Sequence, residues 1–166
     1  MTNLLQRTLM PTPGFGEAEL YVRSAASTVG AADTLGAGDV LSFDTSFGVF
    51  HAGRWRRLTT VDVLTVRVIA SGVGRADVVA VMRGRERVIA SAPLAGDHTD
   101  ITIGSLQQSK WGVLYVRIAA AGECRVQRVE WLTDTAPAHQ VRLSLSITTF
   151  NRQSYVIPTV KKVLSL

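Results

Sequence analysis

Leu64-Thr65-Val66-Arg67-Val68 decides the fold: three aliphatic side chains alternate with a threonine and an arginine. Side chains of a strand point alternately to its two faces, so this run reads as a half-buried strand with one apolar face. Working outward, Ser71-Gly72-Val73-Gly74 reads as a turn, and Ala76 to Met82 as the strand that follows it. Arg87 to Ala92, Asp100 to Ile103, Val113 to Ile118 and Arg125 to Leu132 are the next strand candidates. In the Val113 run, Leu114, Val116 and Ile118 face one way, against Val113, Tyr115 and Arg117. Upstream, Leu20 to Arg23 and Asp39 to Phe43 are strand-like, the second following a turn at Gly36-Ala37-Gly38. Before residue 140 no long stretch carries helical spacing. Short strands at regular intervals predict a mostly β chain, an antiparallel β-sandwich of jelly-roll-like kind.

The character changes at Thr133-Asp134-Thr135-Ala136-Pro137-Ala138-His139, a small polar linker. Beyond it Leu143, Leu145 and Ile147 alternate with Arg142, Ser144 and Ser146, as in one more strand. A polar loop, Thr148 to Arg152, precedes a helix start at which Ser154 caps the first turn and Pro158 is tolerated. Val156, Val160, Val163 and Leu164 then share a helical face. A strand, a loop and a helix open a βαβ unit, which needs about 30 residues at least and is not completed here. The expected organisation is a β-sandwich over residues 1–138, followed at 139–166 by the beginning of an α/β domain.

Composition sets outer limits. The chain has 166 residues, 46% hydrophobic and 19% charged, enough for one domain with a proper core. Its net charge is +5, and of 18 basic residues only Lys110, Lys161 and Lys162 are lysines. The arginines are spread through strand-like segments, which reads as a solvated basic surface; a site for membrane surfaces, phosphates or nucleic acid is the other reading. Cys124 is the only cysteine, so no intrachain disulfide forms, and it is expected to be packed in a strand. No apolar run approaches the roughly 20 residues that span a bilayer. Met1 to Arg7 lacks a basic stretch followed by an apolar one, so no secretory signal is visible and a cytoplasmic location is expected.

Arg54-Trp55-Arg56-Arg57 is the densest local cluster. It reads as a strand with Trp55 in the core and arginines reaching outward. The alternatives are a contact for a phosphate-bearing acceptor with Trp55 stacked on a sugar, or a nucleic-acid contact. Phe43, Phe47, Phe50, Trp111, Tyr115 and Trp131 are expected to fill the core, with a carbohydrate platform as the other reading. His51, His98 and His139 are far apart and lack neighbours at metal-ligand spacing. Asp97-His98-Thr99-Asp100 belongs to a turn. Gly36-Ala37-Gly38 and Gly72-Val73-Gly74 lack the third glycine of a phosphate loop. No metal site and no catalytic residue is assigned.

Taken together, several landmarks resemble one family. Ser146-Ile147-Thr148-Thr149-Phe150-Asn151-Arg152 is similar to the opening strand and loop of family 2 glycosyltransferases of the GT-A type. Leu4-Leu5-Gln6-Arg7, Pro11-Thr12-Pro13-Gly14, Leu41-Ser42-Phe43, Phe47 to Phe50, Trp55-Arg56-Arg57, Val63 to Val68, Gly112 to Ile118 and Trp131 resemble the N-terminal domain of actinobacterial UDP-galactofuranosyltransferases. The resemblance covers nearly the whole chain, and departs from the family pattern at Ser46, Leu58 and Thr148. It implies a β-sandwich ahead of a GT-A domain in an enzyme that adds galactofuranose from UDP-galactofuranose to a lipid-linked cell-wall galactan. It further implies that Thr149, Phe150, Asn151 and Arg152 touch UDP, and that the parent enzyme uses Mg²⁺ or Mn²⁺. The metal-binding and catalytic carboxylates would lie beyond Leu166, so neither donor nor ion is expected on this chain alone. A homo-oligomeric parent, peripheral contact with the inner face of the plasma membrane and no nucleic-acid partner are also implied. A non-catalytic carbohydrate-binding or oligomerisation module is the competing expectation.

Overall fold

In the computed structural model, residues 2–11, 20–24 and 34–136 are described, together with Ile157, Val160 and Lys161. Two strands carry the architecture: β5 (Leu64–Met82) and β8 (Val113–Thr133), antiparallel along their whole length. The remaining elements are β1 (Asn3–Leu9), β2 (Arg23–Ser24), β3 (Thr34–Leu35), β4 (Val40–Ser42), helix α1 (Ala52–Leu58), β6 (Arg85–Pro93) and β7 (Thr99–Ile103). On the free side of β5, β7 pairs with residues 64–68 and β6 with residues 75–82. On the free side of β8, β4, β3 and β1 follow one another along its length, and β2 pairs with β4. The mostly β, antiparallel expectation therefore holds.

Because β5 and β8 are long and bent, they run through both layers of the sandwich. One layer is β1, residues 128–133 of β8, residues 64–69 of β5, and β7; the other is β2, β4, residues 113–120 of β8, residues 74–81 of β5, and β6. The bend comes from unequal strand lengths. Gln127 is an extra residue in β8 opposite Ile69/Ala70, and Ala121, Gly122 and Glu123 lie opposite Val73 alone. Such bulges bend the longer strand and increase its twist.

Ser71 to Gly74 is therefore the interior of β5, not the expected turn. Gly72 has φ +108°, and a Cβ there would lie 2.1 Å from the carbonyl oxygen of Glu123. Only glycine fits that bulge, and its presence mimics a turn signal in the sequence. For the same reason Val113 to Ile118 and Arg125 to Leu132 are one strand and not two. Leu20 to Arg23 is shorter than expected, with strand pairing only at Arg23–Ser24. β1 lies where no strand was anticipated, its Leu4, Gln6 and Leu9 opposite Leu132, Trp131 and Arg128.

The alternation read at Leu64, Val66 and Val68 continues inward at Ala70, Ala76, Val78 and Ala80, all buried. On β8 the inward set is Leu114, Val116, Ile118, Ala120, Cys124 and Val126, and after the Gln127 bulge it shifts to Val129 and Trp131. All of these belong to one continuous core. The layers are also stitched at one edge, where Gln6 Nε2 donates to Val49 O (3.1 Å) and Thr8 Oγ1 to Phe47 O (3.3 Å). Phe43, Phe50, Tyr115 and Trp131 are buried as expected, but Phe47 is 54% exposed and lies against Tyr21.

The chain divides into two compact units, residues 1–136 and 137–166. In the second, Ile157, Val160 and Lys161 are helical. The strand read at Leu143 to Ile147 and the loop read at Thr148 to Arg152 lie outside the described residues.

Candidate functional site

The Arg54–Arg57 cluster is a helix and not the expected strand. Ala52, Arg54, Arg56, Arg57 and Leu58 of α1 are good helix formers, while Gly53 is not, and Arg56 and Arg57 lie in the last turn, where positive charge suits the helix dipole. No side chain caps its N-terminus; instead Gly53 N donates to Gly112 O (2.9 Å). It ends at Thr59, whose backbone N–H and hydroxyl both donate to Trp55 O, at 3.0 and 2.6 Å. The extended backbone of Thr59, φ −141° and ψ 170°, then carries the chain away.

Trp55 packs on the core as expected. Its ring stacks on Phe50 with centroids 5.8 Å apart, and Phe50 stacks on Trp131 at 4.6 Å. Phe50 pairs with Leu114 through both backbone hydrogen bonds, so it belongs to one layer of the sandwich while Trp131 belongs to the other. This column of rings joins the layers and seats the helix. Aromatic pairs of this kind contribute about 0.5–1.5 kcal/mol each beyond the area they bury. Trp131 Nε1 is buried without a partner among the described residues.

Arg56 is not a free cation. It donates to Ser109 O (2.6 Å) and Trp111 O (3.3 Å), fastening α1 to the loop between β7 and β8. The chain after the helix is held to the same loop: Gln107 Nε2 donates to Val61 O (2.7 Å), and Asp62 accepts from the Ser105 hydroxyl and from Gln107 N (3.1 Å). Those two hydrogen bonds hold the Asp62 carboxyl below its usual range. Arg54 and Arg57 remain exposed. What the arrangement offers is a rigid aromatic base with cations on its outer side.

The outer sheet faces carry ion pairs that spacing alone did not reveal. Across one layer Arg7, Glu130, Arg67 and Asp100 are successive register partners on β1, β8, β5 and β7, so charge alternates across four strands. Arg7 and Arg128 both reach Glu130 at 2.9 Å, and Arg67 binds Asp100 through two 2.7 Å hydrogen bonds. Burial disfavours ionised Glu130, yet the Arg128 and Arg7 hydrogen bonds outweigh it and hold the carboxyl below its usual range. On the other layer Arg117 binds Glu86 (2.8 Å), and burial with Glu86 nearby pushes Tyr115 up to about 12. Burial likewise pushes the Cys124 thiol up, and Cys124 is packed as expected.

These contacts dispose of the turn look-alike at Asp97 to Asp100, since Asp100 is committed to Arg67. No group of three or more His, Cys, Asp or Glu suited to a metal ion occurs among the described residues. The described residues therefore do not fit the divalent ion that the family resemblance implies for a parent enzyme. No helix among them is long and apolar enough to cross a membrane. Thr149, Phe150, Asn151 and Arg152 lie outside the described residues.

Comparison with known proteins points the same way as the fold. The chain is similar to the galactofuranosyltransferase GlfT2 of Mycolicibacterium smegmatis, 26% identical over 90% of this chain and 26% of that protein. It is also similar to galactofuranosyltransferase GlfT2 of Mycobacterium tuberculosis, 22% identical over 97% of this chain and 28% of that protein. The chain thus spans little more than a quarter of the length of either relative. Residues 5–134 match the family model described as galactofuranosyltransferase 2 N-terminal, a span that takes in β1 to β8 almost completely. The chain belongs to the galactofuranosyltransferase 2 N-terminal family.

Proposed function

We propose that this chain is the N-terminal part of a glycosyltransferase that moves galactofuranose from UDP-galactofuranose to a lipid-linked cell-wall galactan. The observation that carries the reading is the family match over residues 5–134, which coincides with the β-sandwich unit. In this reading the sandwich is a rigid scaffold beside a GT-A domain that begins after the polar linker. Thr149, Phe150, Asn151 and Arg152 line the uridine diphosphate; a planar guanidinium such as that of Arg152 suits phosphate or carbonyl oxygens. The Mg²⁺ or Mn²⁺ ion is held by carboxylates outside this sequence and would neutralise the diphosphate leaving group. The parent works as a homo-oligomer at the inner face of the plasma membrane.

A transfer assay with UDP-galactofuranose and a galactan acceptor tests this on two samples: the product of the whole open reading frame containing this sequence, and the 166-residue chain. Transfer by the first and not by the second is expected. Transfer by the short chain would mean that the active site is misplaced. Transfer by neither, with galactan retained by the short chain in a pull-down, would replace the reading with a carbohydrate-binding module.

A further inference from the structure

Phe47 departs furthest from the core position expected of it. It is 54% exposed, its ring centroid lies 5.2 Å from that of Tyr21, and neighbouring Leu20 is 39% exposed. The backbone that presents this ring is firmly held. Phe47 N and the Thr45 hydroxyl both donate to Leu20 O, at 3.0 and 2.8 Å, and the Thr8 hydroxyl donates to Phe47 O. A Cβ at Gly48 would lie 2.6 Å from the carbonyl oxygens of Phe43 and Tyr21, so only glycine lets the two segments approach this closely. The ring is therefore displayed by the fold and not by a loose loop.

A polar pair adjoins the rings. Val22 and Phe43 are buried, which leaves Arg23, Ser42 and Asp44 on the outer face of the layer that contains β2 and β4. Arg23 is two residues from Tyr21, and Asp44 is three from Phe47. Arg23 reaches Asp44 at only 3.5 Å, and its side chain is 72% exposed. Oδ1 of Asp44 is buried with no hydrogen-bond partner among the described residues. Folding thus leaves most of the guanidinium donors and one carboxylate oxygen unused. An unpaired buried acceptor costs free energy that a ligand hydroxyl would recover.

We propose that this patch is a saccharide-binding site on the sandwich that holds a stretch of the galactan acceptor. Phe47 packs under the C–H face of one sugar ring, while Arg23 and Asp44 bind hydroxyl groups at its edge. The chemistry favours a neutral polyol. The charges of Arg23 and Asp44 cancel, so neither an anion nor a cation is selected. A guanidinium beside a carboxylate offers donors and acceptors together, the complement of adjacent hydroxyl groups. An apolar peptide is the poorer match, because it leaves the ion pair unserved. Phe47, Tyr21 and Leu20 also fall far short of the roughly 800 Å² per partner that a stable protein interface covers. A contact this small binds one unit weakly and gains from repetition along a polymer. The inference rests on the reading above for the identity of the sugar.

The experiment is a titration of the isotopically labelled 166-residue chain with a galactofuranose tetrasaccharide, read from its amide NMR signals. Saturable movement of the signals of Leu20, Tyr21, Arg23, Thr45 and Phe47 is expected, with weaker binding of maltotetraose. Phe47→Ala should weaken binding about tenfold and Phe47→Trp should retain it. Arg23→Gln should weaken it about fivefold, as for one lost hydrogen bond. Leu58→Ser, at the end of α1, should leave it unchanged. Unaltered melting of each variant separates lost contact from lost fold. No movement with the tetrasaccharide, movement only at other residues, equal binding of maltotetraose, indifference to Phe47→Ala, or preference for an apolar peptide would overturn the proposal. Because the titration reads binding and not transfer, the two readings fail separately. Binding here without transfer by the whole gene product sinks the transferase and keeps the site, whereas transfer without binding here sinks the site alone.

Discussion

Within β5, residues 64–68 and residues 69–74 adjoin, and they obey different rules. In the first stretch the alternation of Leu64, Val66 and Val68 with Thr65 and Arg67 translates directly into buried and half-exposed positions. In the second the pairing with β8 slips twice, and the decisive residue is a glycine held at φ +108° against the Glu123 carbonyl. Side-chain hydrophobicity shapes the straight arms of the ribbon, whereas backbone conformation shapes its bend. A strand can thus contain the residues of a turn without ending, provided another strand continues beside it.

The bend should be the point of greatest sensitivity. Gly72→Val is expected to cost on the order of 4 kcal/mol, since backbone strain and overpacking each contribute about 1–3 kcal/mol. Gly84→Ala sharpens the comparison: Gly84 also has positive φ, at +75°, but nothing lies within 4 Å of an added Cβ. Only the left-handed backbone penalty applies there, about 1–2 kcal/mol. Chemical denaturation of both variants checks the pair, and equal losses would refute the role given to the bulge.

The straight arms should yield through packing. Phe50→Leu keeps an apolar group between the layers but removes both ring contacts, an expected loss of about 2 kcal/mol. Near-ultraviolet circular dichroism should report the altered surroundings of Trp55 and Trp131. A larger loss than at Gly72 would mean that the ring column, and not the bend, dominates closure.

The smallest effect concerns the outer face. Glu130 has a folded pKa depressed by Arg128 and Arg7, so the stability it adds is present above the ordinary glutamate value. That contribution is lost as pH falls through the lower folded value. Glu130→Gln should therefore remove part of the acid dependence of unfolding without changing its alkaline side. Because the partner arginines are well exposed, the effect should not exceed about 1 kcal/mol. An unchanged acid limb would show that these pairs do not govern stability.

Part of the site was legible and part was not. The cluster Arg54-Trp55-Arg56-Arg57 stands out in any reading, and the burial of Trp55 follows from its chemistry. Its secondary structure did not follow, because a seven-residue helix has too few turns to show a period. The commitment of Arg56 to the carbonyls of Ser109 and Trp111 left no local trace, and neither did the meeting of Phe50 with Trp131. Those partners are brought together by the return of β8 and not by any spacing along the chain.

What the sequence determined by itself was the β class, the apolar face of β5 and β8, and the packed cysteine. Each is a local consequence of side-chain chemistry repeated at a period of two. Only the tertiary structure decided that two pairs of expected strands were single bent ones, that β1 completes an edge, and that Phe47 lies exposed against Tyr21. These depend on pairing between residues distant in the chain, where a glycine marks a bulge or a turn according to what lies opposite it.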